Sequence, residues 1–131
     1  MKVLLLGSGG REHAMAWALA KSPALTKLWG APGAAAMSGT AELADLDPLD
    51  GAAVARFCRD KGVELMVVGP EAPLAAGVAD AVRAERIPVF GPGRDGARLE
   101  SSKAFAKDFM LRHGLPTARA VVAAAAEAKA A

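Results

Sequence analysis

The chain has 131 residues, of which 53% are hydrophobic, and it is long enough to bury one sizeable core and to begin a second unit. Sixteen basic and fourteen acidic residues are scattered along the sequence and leave a net charge of +2, which excludes no globular class but disfavours nucleic acid as a partner. Cys58 is the single cysteine and the first apolar run is too short to span a bilayer, so we expect a cytoplasmic protein with no internal disulfide and no membrane partner.

Apolar runs alternate with helix-forming segments along residues 1–90. The runs 3–6, 27–31, 65–68 and 87–90 predict strands, and the segments 11–21, 50–61 and 75–85 predict helices. Strands that are apolar on both faces and alternate with helices form parallel sheets joined by right-handed crossovers. The sequence therefore predicts an α/β fold, a Rossmann-like parallel sheet with helices on both faces.

The pattern changes after the glycines and proline of residues 91–96. We predict a domain boundary there, with a first domain over residues 1–96 and a second over residues 97–131. Ser101 or Ser102 can cap a helix that runs to His113, after which residues 119–122 predict a strand and residues 123–131 favour a helix. One strand and one helix have no partner layer to bury them, so we expect this second domain to be truncated.

A glycine-rich turn, Gly7-Ser8-Gly9-Gly10, joins the first predicted strand to its helix. Such a turn lets the backbone approach a phosphate closely, and the amino terminus of the helix attracts anions. Arg11, in the first helical turn, can add a charged contact. From the residues alone, a purely structural turn and a phosphate-binding turn are equally favoured.

Two nucleotide-binding motifs are excluded at this turn. The dinucleotide fingerprint requires a glycine at the position of Glu12 and an acidic residue after the second strand, where the chain has Ala31-Pro32-Gly33. The sequence also has no GxxxxGK[ST] phosphate-binding loop. NAD binding is therefore disfavoured.

Glu71 follows the strand predicted over residues 65–68, within Gly69-Pro70-Glu71. If the two strands are neighbours, this carboxylate lies beside the glycine turn and can accept hydrogen bonds from the hydroxyls of a ribose. The alternative, favoured by spacing alone, is that Glu71 stabilises the next helix through its dipole. For His13, His113 and Cys58 we favour packing or capping over catalysis or metal binding.

An ordered set of motifs covers essentially the whole chain and resembles the phosphoribosylamine–glycine ligase family, also called glycinamide ribonucleotide synthetase. The motifs are GSGGREHA (7–14), VGPEAPL (68–74), LESSKAF (99–105), KDFM (107–110) and HGLPTA (113–118). The match departs from the family at Ala34, where an Asn usually follows Pro-Gly. Any contact made by that amide is not expected here.

The resemblance implies an ATP-grasp enzyme of de novo purine biosynthesis, whose amino-terminal pre-ATP-grasp domain helps to bind phosphoribosylamine. Such an enzyme joins glycine to 5-phosphoribosylamine, hydrolyses ATP to ADP and phosphate, and forms glycinamide ribonucleotide. Later domains bind most of the ATP and Mg²⁺, and they carry the residues that activate glycine. The chain corresponds to the first third of such a protein and the start of its ATP-grasp domain, so we expect no catalytic residue in it and no activity from it alone.

By the same resemblance, five residues are candidates for the phosphoribosylamine pocket: Gly9, Gly10, Arg11, Glu12 and Glu71. Glu71 becomes the expected acceptor for ribose hydroxyls. Lys103 resembles the early ATP-grasp lysine that reaches the phosphates of ATP, against the alternative of a solvated helix lysine. The alternative function is a stand-alone, non-catalytic module that binds a phosphosugar or a nucleotide.

Overall fold

The structure is a computed structural model that describes residues 1–121. Strands and helices alternate along much of residues 1–90, as the sequence predicts. The elements are β1 (Lys2–Gly7), α1 (Gly10–Leu19), β2 (Lys27–Pro32), β3 (Glu42–Leu43), α2 (Gly51–Lys61), β4 (Leu65–Val68), α3 (Glu71–Ala76), α4 (Val78–Ala84), β5 (Val89–Phe90), α5 (Arg94–Ser101) and α6 (Lys103–Arg112), with a short 3-10 turn at Ala35–Met37.

The five strands form one parallel sheet in the order β3-β2-β1-β4-β5. Strand β1 lies at the centre, where Leu6 pairs with Ala31 of β2 on one side and with Val68 of β4 on the other. The carboxyl ends of these three strands therefore meet at one edge of the sheet. In an open α/β sheet this edge is where ligands bind.

Helices cover both faces of the sheet, which confirms the predicted fold class. Alternate residues of β1 point to opposite faces, so Leu4 and Leu6 pack in the core under α2, α3 and α4, whereas Val3 and Leu5 pack with Ala16 of α1. All three leucines are fully buried. Because both faces of β1 are covered, its apolar run is continuous instead of alternating with polar residues.

Three parts of the first domain differ from the prediction. The helix predicted over residues 75–85 is divided into α3 and α4 by Gly77, whose left-handed backbone ends a helix. Strand β3 has only two residues and gave no periodic signal. Helix α5 was missed because glycines and a proline precede it, yet it begins at Arg94, whose N–H donates to the Asp80 carboxylate at 2.9 Å.

Contacts between residues divide the chain into one unit over Met1–Ala97 and a second that begins at Arg98. In the second unit Ser102 caps α6 by accepting the N–H of Phe105 at 3.3 Å, one of the two caps predicted. Residues 119–121 are not in a strand, and the strand pairings among residues 1–121 all belong to β1–β5. The helix predicted over residues 123–131 lies outside the described residues. Within residues 1–121, no helix combines the length and hydrophobicity needed to cross a bilayer.

Candidate functional site

The loops that follow β1 and β4 leave the sheet side by side. The pairing of Leu6 with Val68 places the ends of the two strands level with each other, and the N–H of Gly69 donates to the carbonyl of Leu6 at 3.0 Å. Gly9 and Arg11 therefore lie at the same edge of the sheet as Glu71. From the sequence, this placement of Glu71 beside the glycine turn was predicted only if the two strands were neighbours.

A depression of about 330 Å³ lies between these loops. Gly9 and Glu12 line it, together with Ser8, whereas Gly10, Arg11 and Glu71 do not. Much of its wall is apolar and comes from several loops: Pro32, Pro48, Leu49, Pro70, Ala72 and Pro73. Such a surface can pack against the faces of a sugar ring while polar groups at its edge bind hydroxyls and phosphate.

Glu12 is buried, with 4% of its surface exposed, and its carboxylate accepts two hydrogen bonds. Oε2 accepts the N–H of Gly9 at 2.8 Å, and Oε1 accepts Nε of Arg11 at 2.8 Å. The first bond is the returning half of a capping box, in which the third residue of a helix bonds to the backbone of the residue before the helix. The Gly9 N–H thus donates to Glu12, although a phosphate-binding turn would direct it at a ligand.

The Glu12 side chain also fills the space between the two loops. A Cβ at Gly69 would stand 2.6 Å from Cδ of Glu12, and one at Gly7 would stand 2.8 Å from the same atom. Real Cβ atoms essentially never come this close to another atom, so a side chain at either position would have to displace Glu12. Gly7 additionally has a φ of +128°, which a residue with a side chain rarely adopts.

Two opposed effects act on the Glu12 carboxyl. Burial alone would raise its pKa, but the hydrogen bonds from Arg11 and from the Gly9 N–H, with the charge of Arg11, lower the pKa below its usual value. Glu12 is therefore a carboxylate at neutral pH. The pair formed by Glu12 and Arg11 is close to neutral as a whole, although the Arg11 side chain is 55% exposed.

Glu71 is the first residue of α3, and its side chain is exposed at the rim of the edge. Helix α3 has no side-chain cap, because Pro70 occupies the position before it. A carboxylate in the first turn interacts favourably with the helix dipole and is also open to solvent and ligand. The placement of Glu71 is thus compatible with both interpretations of this residue.

Lys103 is the first residue of α6 in the second unit, and its side chain is exposed. A lysine at this end of a helix is unfavourable with the helix dipole, which favours an anion nearby. Its neighbour Lys107 instead donates to the carbonyl of Ala118 at 2.8 Å and so ties α6 to the segment after it. Lys103 is the better placed of the two for a ligand.

The remaining ionisable candidates have structural surroundings. His113 follows α6 and its ring lies 4.4 Å from the ring of Phe109. Burial raises the pKa of the Cys58 thiol to about 12, so this residue is a core thiol and not a nucleophile. No group of three or more His, Cys, Asp or Glu side chains among residues 1–121 is arranged to hold a metal ion.

Sequence reasoning did not single out Ser8, Pro48 or Leu49 as part of a site. Ser8 lies inside the glycine turn, so its position in that motif was an available signal. Pro48 and Leu49 come from the loop before α2, and only the tertiary fold brings this loop to the end of β1. No local pattern in the sequence could have indicated them.

Comparison with known proteins identifies relatives over most of the chain. The family model "Phosphoribosylglycinamide synthetase, N domain" matches residues 1–100. The phosphoribosylamine–glycine ligase of Mesorhizobium japonicum is 59% identical over 118 residues, which are 90% of this chain and 28% of that protein. The chain thus spans little more than a quarter of the relative's length.

Solved structures show the same fold. The crystal structure of phosphoribosylamine–glycine ligase from Thermotoga maritima matches with a TM-score of 0.66 at 32% identity, over 91% of this chain and 26% of that one. The biotin carboxylase domain of a single-chain bacterial carboxylase matches with a TM-score of 0.68 at 18% identity, over 99% of this chain and 33% of that one. The second match shows likeness of fold alone.

Proposed function

The chain belongs to the phosphoribosylglycinamide synthetase N-domain family, and from this we propose that it is the amino-terminal part of a phosphoribosylamine–glycine ligase. That enzyme joins glycine to 5-phosphoribosylamine, hydrolyses ATP to ADP and phosphate, and produces glycinamide ribonucleotide for purine biosynthesis in the cytoplasm. The observation that carries the proposal is 59% identity to a ligase of this name over 90% of the chain.

We assign the phosphoribosylamine pocket to the edge where β1 and β4 end. Its members are Gly9, Gly10, Arg11, Glu12 and Glu71. The exposed guanidinium of Arg11 suits a phosphate, and the exposed carboxylate of Glu71 suits the vicinal hydroxyls of a ribose. The apolar wall of the depression between the two loops suits the faces of the sugar ring.

Within the proposed ligase, ATP supplies the phosphoryl group that activates the carboxylate of glycine. The exposed ammonium group of Lys103, at the start of α6, fits a role in binding the phosphates of ATP. Mg²⁺ and most of the ATP would be bound by later domains of that ligase. The role of the first domain, over residues 1–96, is to hold the sugar phosphate and to orient its amine; residues 97–131 begin the ATP-grasp domain.

The proposal is tested by measuring ADP release that depends on both glycine and phosphoribosylamine. We expect this activity from a parent protein that continues beyond Ala131, and none from the 131-residue chain. A longer protein that releases no ADP with these substrates would overturn the proposed function. An active 131-residue chain would overturn the assignment of catalysis to other domains.

A stand-alone binding module is the second candidate. The unit over Met1–Ala97 favours this candidate, because it has a hydrophobic core on each face of its sheet. The depression lies at the edge of the same sheet. Such a module binds a phosphosugar or a nucleotide and performs no chemistry. Mass spectrometry of the natural gene product decides between the two, because a product that ends at Ala131 favours the module and a product several times longer favours the ligase.

A further inference from the structure

Glu12 is the only charged residue that is buried among residues 1–121. Removing a carboxylate from water costs free energy unless hydrogen bonds and an opposite charge compensate for it. At Glu12 the compensation comes from Gly9 and Arg11, two of the residues assigned to the phosphoribosylamine pocket. The one buried charge is therefore used to hold the proposed binding loop.

The contacts of Glu12 extend to the second loop of the site as well. Its side chain lies against the backbone of Gly69, two residues before Glu71, and against Gly7 at the end of β1. A single side chain thus fills the space between the loop that carries Arg11 and the loop that carries Glu71. No other charged side chain in the described part of the chain is enclosed in this way.

A direct contact between Glu12 and the substrate phosphate would be repulsive, since both groups are negative. Resting on the proposed function, we propose that Glu12 is a positioning residue of the phosphoribosylamine site. It fixes the Gly9 amide and the Arg11 guanidinium relative to Glu71, and it acts on the ligand through Arg11. The ligand class is a sugar phosphate, and Arg11 makes the contact with its phosphate.

Replacing Glu12 by Gln separates this role from simple space filling. Both partners of the carboxylate are donors, the Gly9 N–H and the Arg11 Nε–H. The Gln side chain has nearly the same shape, but one of its two terminal atoms is an NH₂ group, which cannot accept from either donor. Glu12→Gln therefore keeps the packing against Gly69 and releases one of the two bonded groups.

The experiment is an NMR titration of the 131-residue chain with ribose 5-phosphate, which detects weak binding and reports on the Gly9 amide directly. We expect Glu12→Gln to raise the dissociation constant about tenfold, because a displaced Arg11 would lose one charge-assisted hydrogen bond to the phosphate. We expect Arg11→Ala to raise it as well. In the double variant the fold-change in the dissociation constant should be smaller than the product of the two single fold-changes, because Glu12 acts through Arg11.

Glu64→Gln is the matched control. It removes one negative charge at the opposite edge of the sheet, where Glu64 accepts the N–H of Lys2 at 2.7 Å, a bond that an amide oxygen can also accept. We expect its dissociation constant to equal that of the parent chain. If Glu12→Gln does not fold, as judged by its NMR spectrum, Glu12→Asp takes its place, since it keeps the charge and shortens the reach.

Each outcome decides a separate point. A parent chain that shows no binding overturns the proposed site and the positioning role together. Binding that weakens with Arg11→Ala but not with Glu12→Gln overturns the positioning role alone. A double variant whose fold-change in dissociation constant equals the product of the two single fold-changes also overturns the positioning role alone. If neither Glu12 variant folds, Glu12 determines the fold and the positioning role is overturned.

Discussion

The carboxylate of Glu12 occupies the space in which a Cβ of Gly69 would stand. The two residues belong to different loops, one after β1 and one after β4, and 57 positions separate them in the sequence. The packing of Glu12 against Gly69 depends on the parallel pairing of β1 with β4, whose last residue pair is Leu6 and Val68. This relationship packs the two loops of the proposed site against each other at one edge of the sheet.

Gly69→Ala should therefore destabilise the chain. The added methyl group would overlap Cδ of Glu12, and we expect the free energy of unfolding to fall by about 1–3 kcal/mol, the usual cost of overpacking a filled site. Urea denaturation measures the change. Gly39→Ala is the control, because a Cβ there meets no atom within 4 Å. Equal stability of the two variants would show that Glu12 moves aside freely.

The stability of the chain should depend on the charge of Glu12 at acid pH. Its pKa is lower in the folded chain than the usual 4.5, so the charged carboxylate stabilises the fold above that pH. The stabilisation is lost as the pH falls below 4.5 and through the folded pKa. Glu12→Gln should lack this component, so the difference in unfolding midpoint between the parent and the variant should shrink between pH 7 and pH 3.

Glu42→Gln is the control for this comparison. The hydrogen bond and charge of Lys27 also lower the pKa of the Glu42 carboxyl, but this pair is exposed. Exposed pairs contribute little to stability, so the midpoint of Glu42→Gln should stay near that of the parent across the same range. A constant difference between Glu12→Gln and the parent at all pH values would contradict the assignment of the effect to Glu12 ionisation.

Glu71→Ala should weaken the binding of ribose 5-phosphate if its carboxylate accepts the ribose hydroxyls. Losing two charge-assisted hydrogen bonds corresponds to a rise of at least about tenfold in the dissociation constant. Inorganic phosphate, which has no hydroxyls of a sugar, should bind the variant and the parent equally. Asp60→Ala, at an exposed carboxylate near the end of α2, is the control. Unchanged affinity of Glu71→Ala for ribose 5-phosphate would leave helix stabilisation as the role of Glu71.

Lys103→Ala tests the second proposed site in the longer ligase. We expect the KM for ATP to rise several-fold, while the KM for phosphoribosylamine stays within error, because the lysine would contact only ATP. Steady-state ADP release measures both constants. Lys21→Ala is the control, since Lys21 lies over the ring of Trp17 after α1. If Lys103→Ala shows unchanged ATP kinetics, Lys103 is a solvated helix lysine.

The sequence by itself determined the class of the fold and the position of its main elements. Continuous apolar runs such as that of β1 indicate strands buried on both faces, and the helical segments between them require parallel pairing through crossovers. The family likeness was also present in the sequence, because its motifs are local and appear in order. Short-range signals carry this information, so it could be obtained before any coordinates.

Only the tertiary structure decided what Glu12 does and which loops surround it. From the sequence, Glu12 was the residue that ruled out a dinucleotide fingerprint and a candidate for direct contact with substrate. In the fold it is buried between Gly7 and Gly69, bonded to Gly9 and Arg11. Long-range contacts of this kind follow from which strands pair and in which register, and no local sequence pattern encodes that pairing.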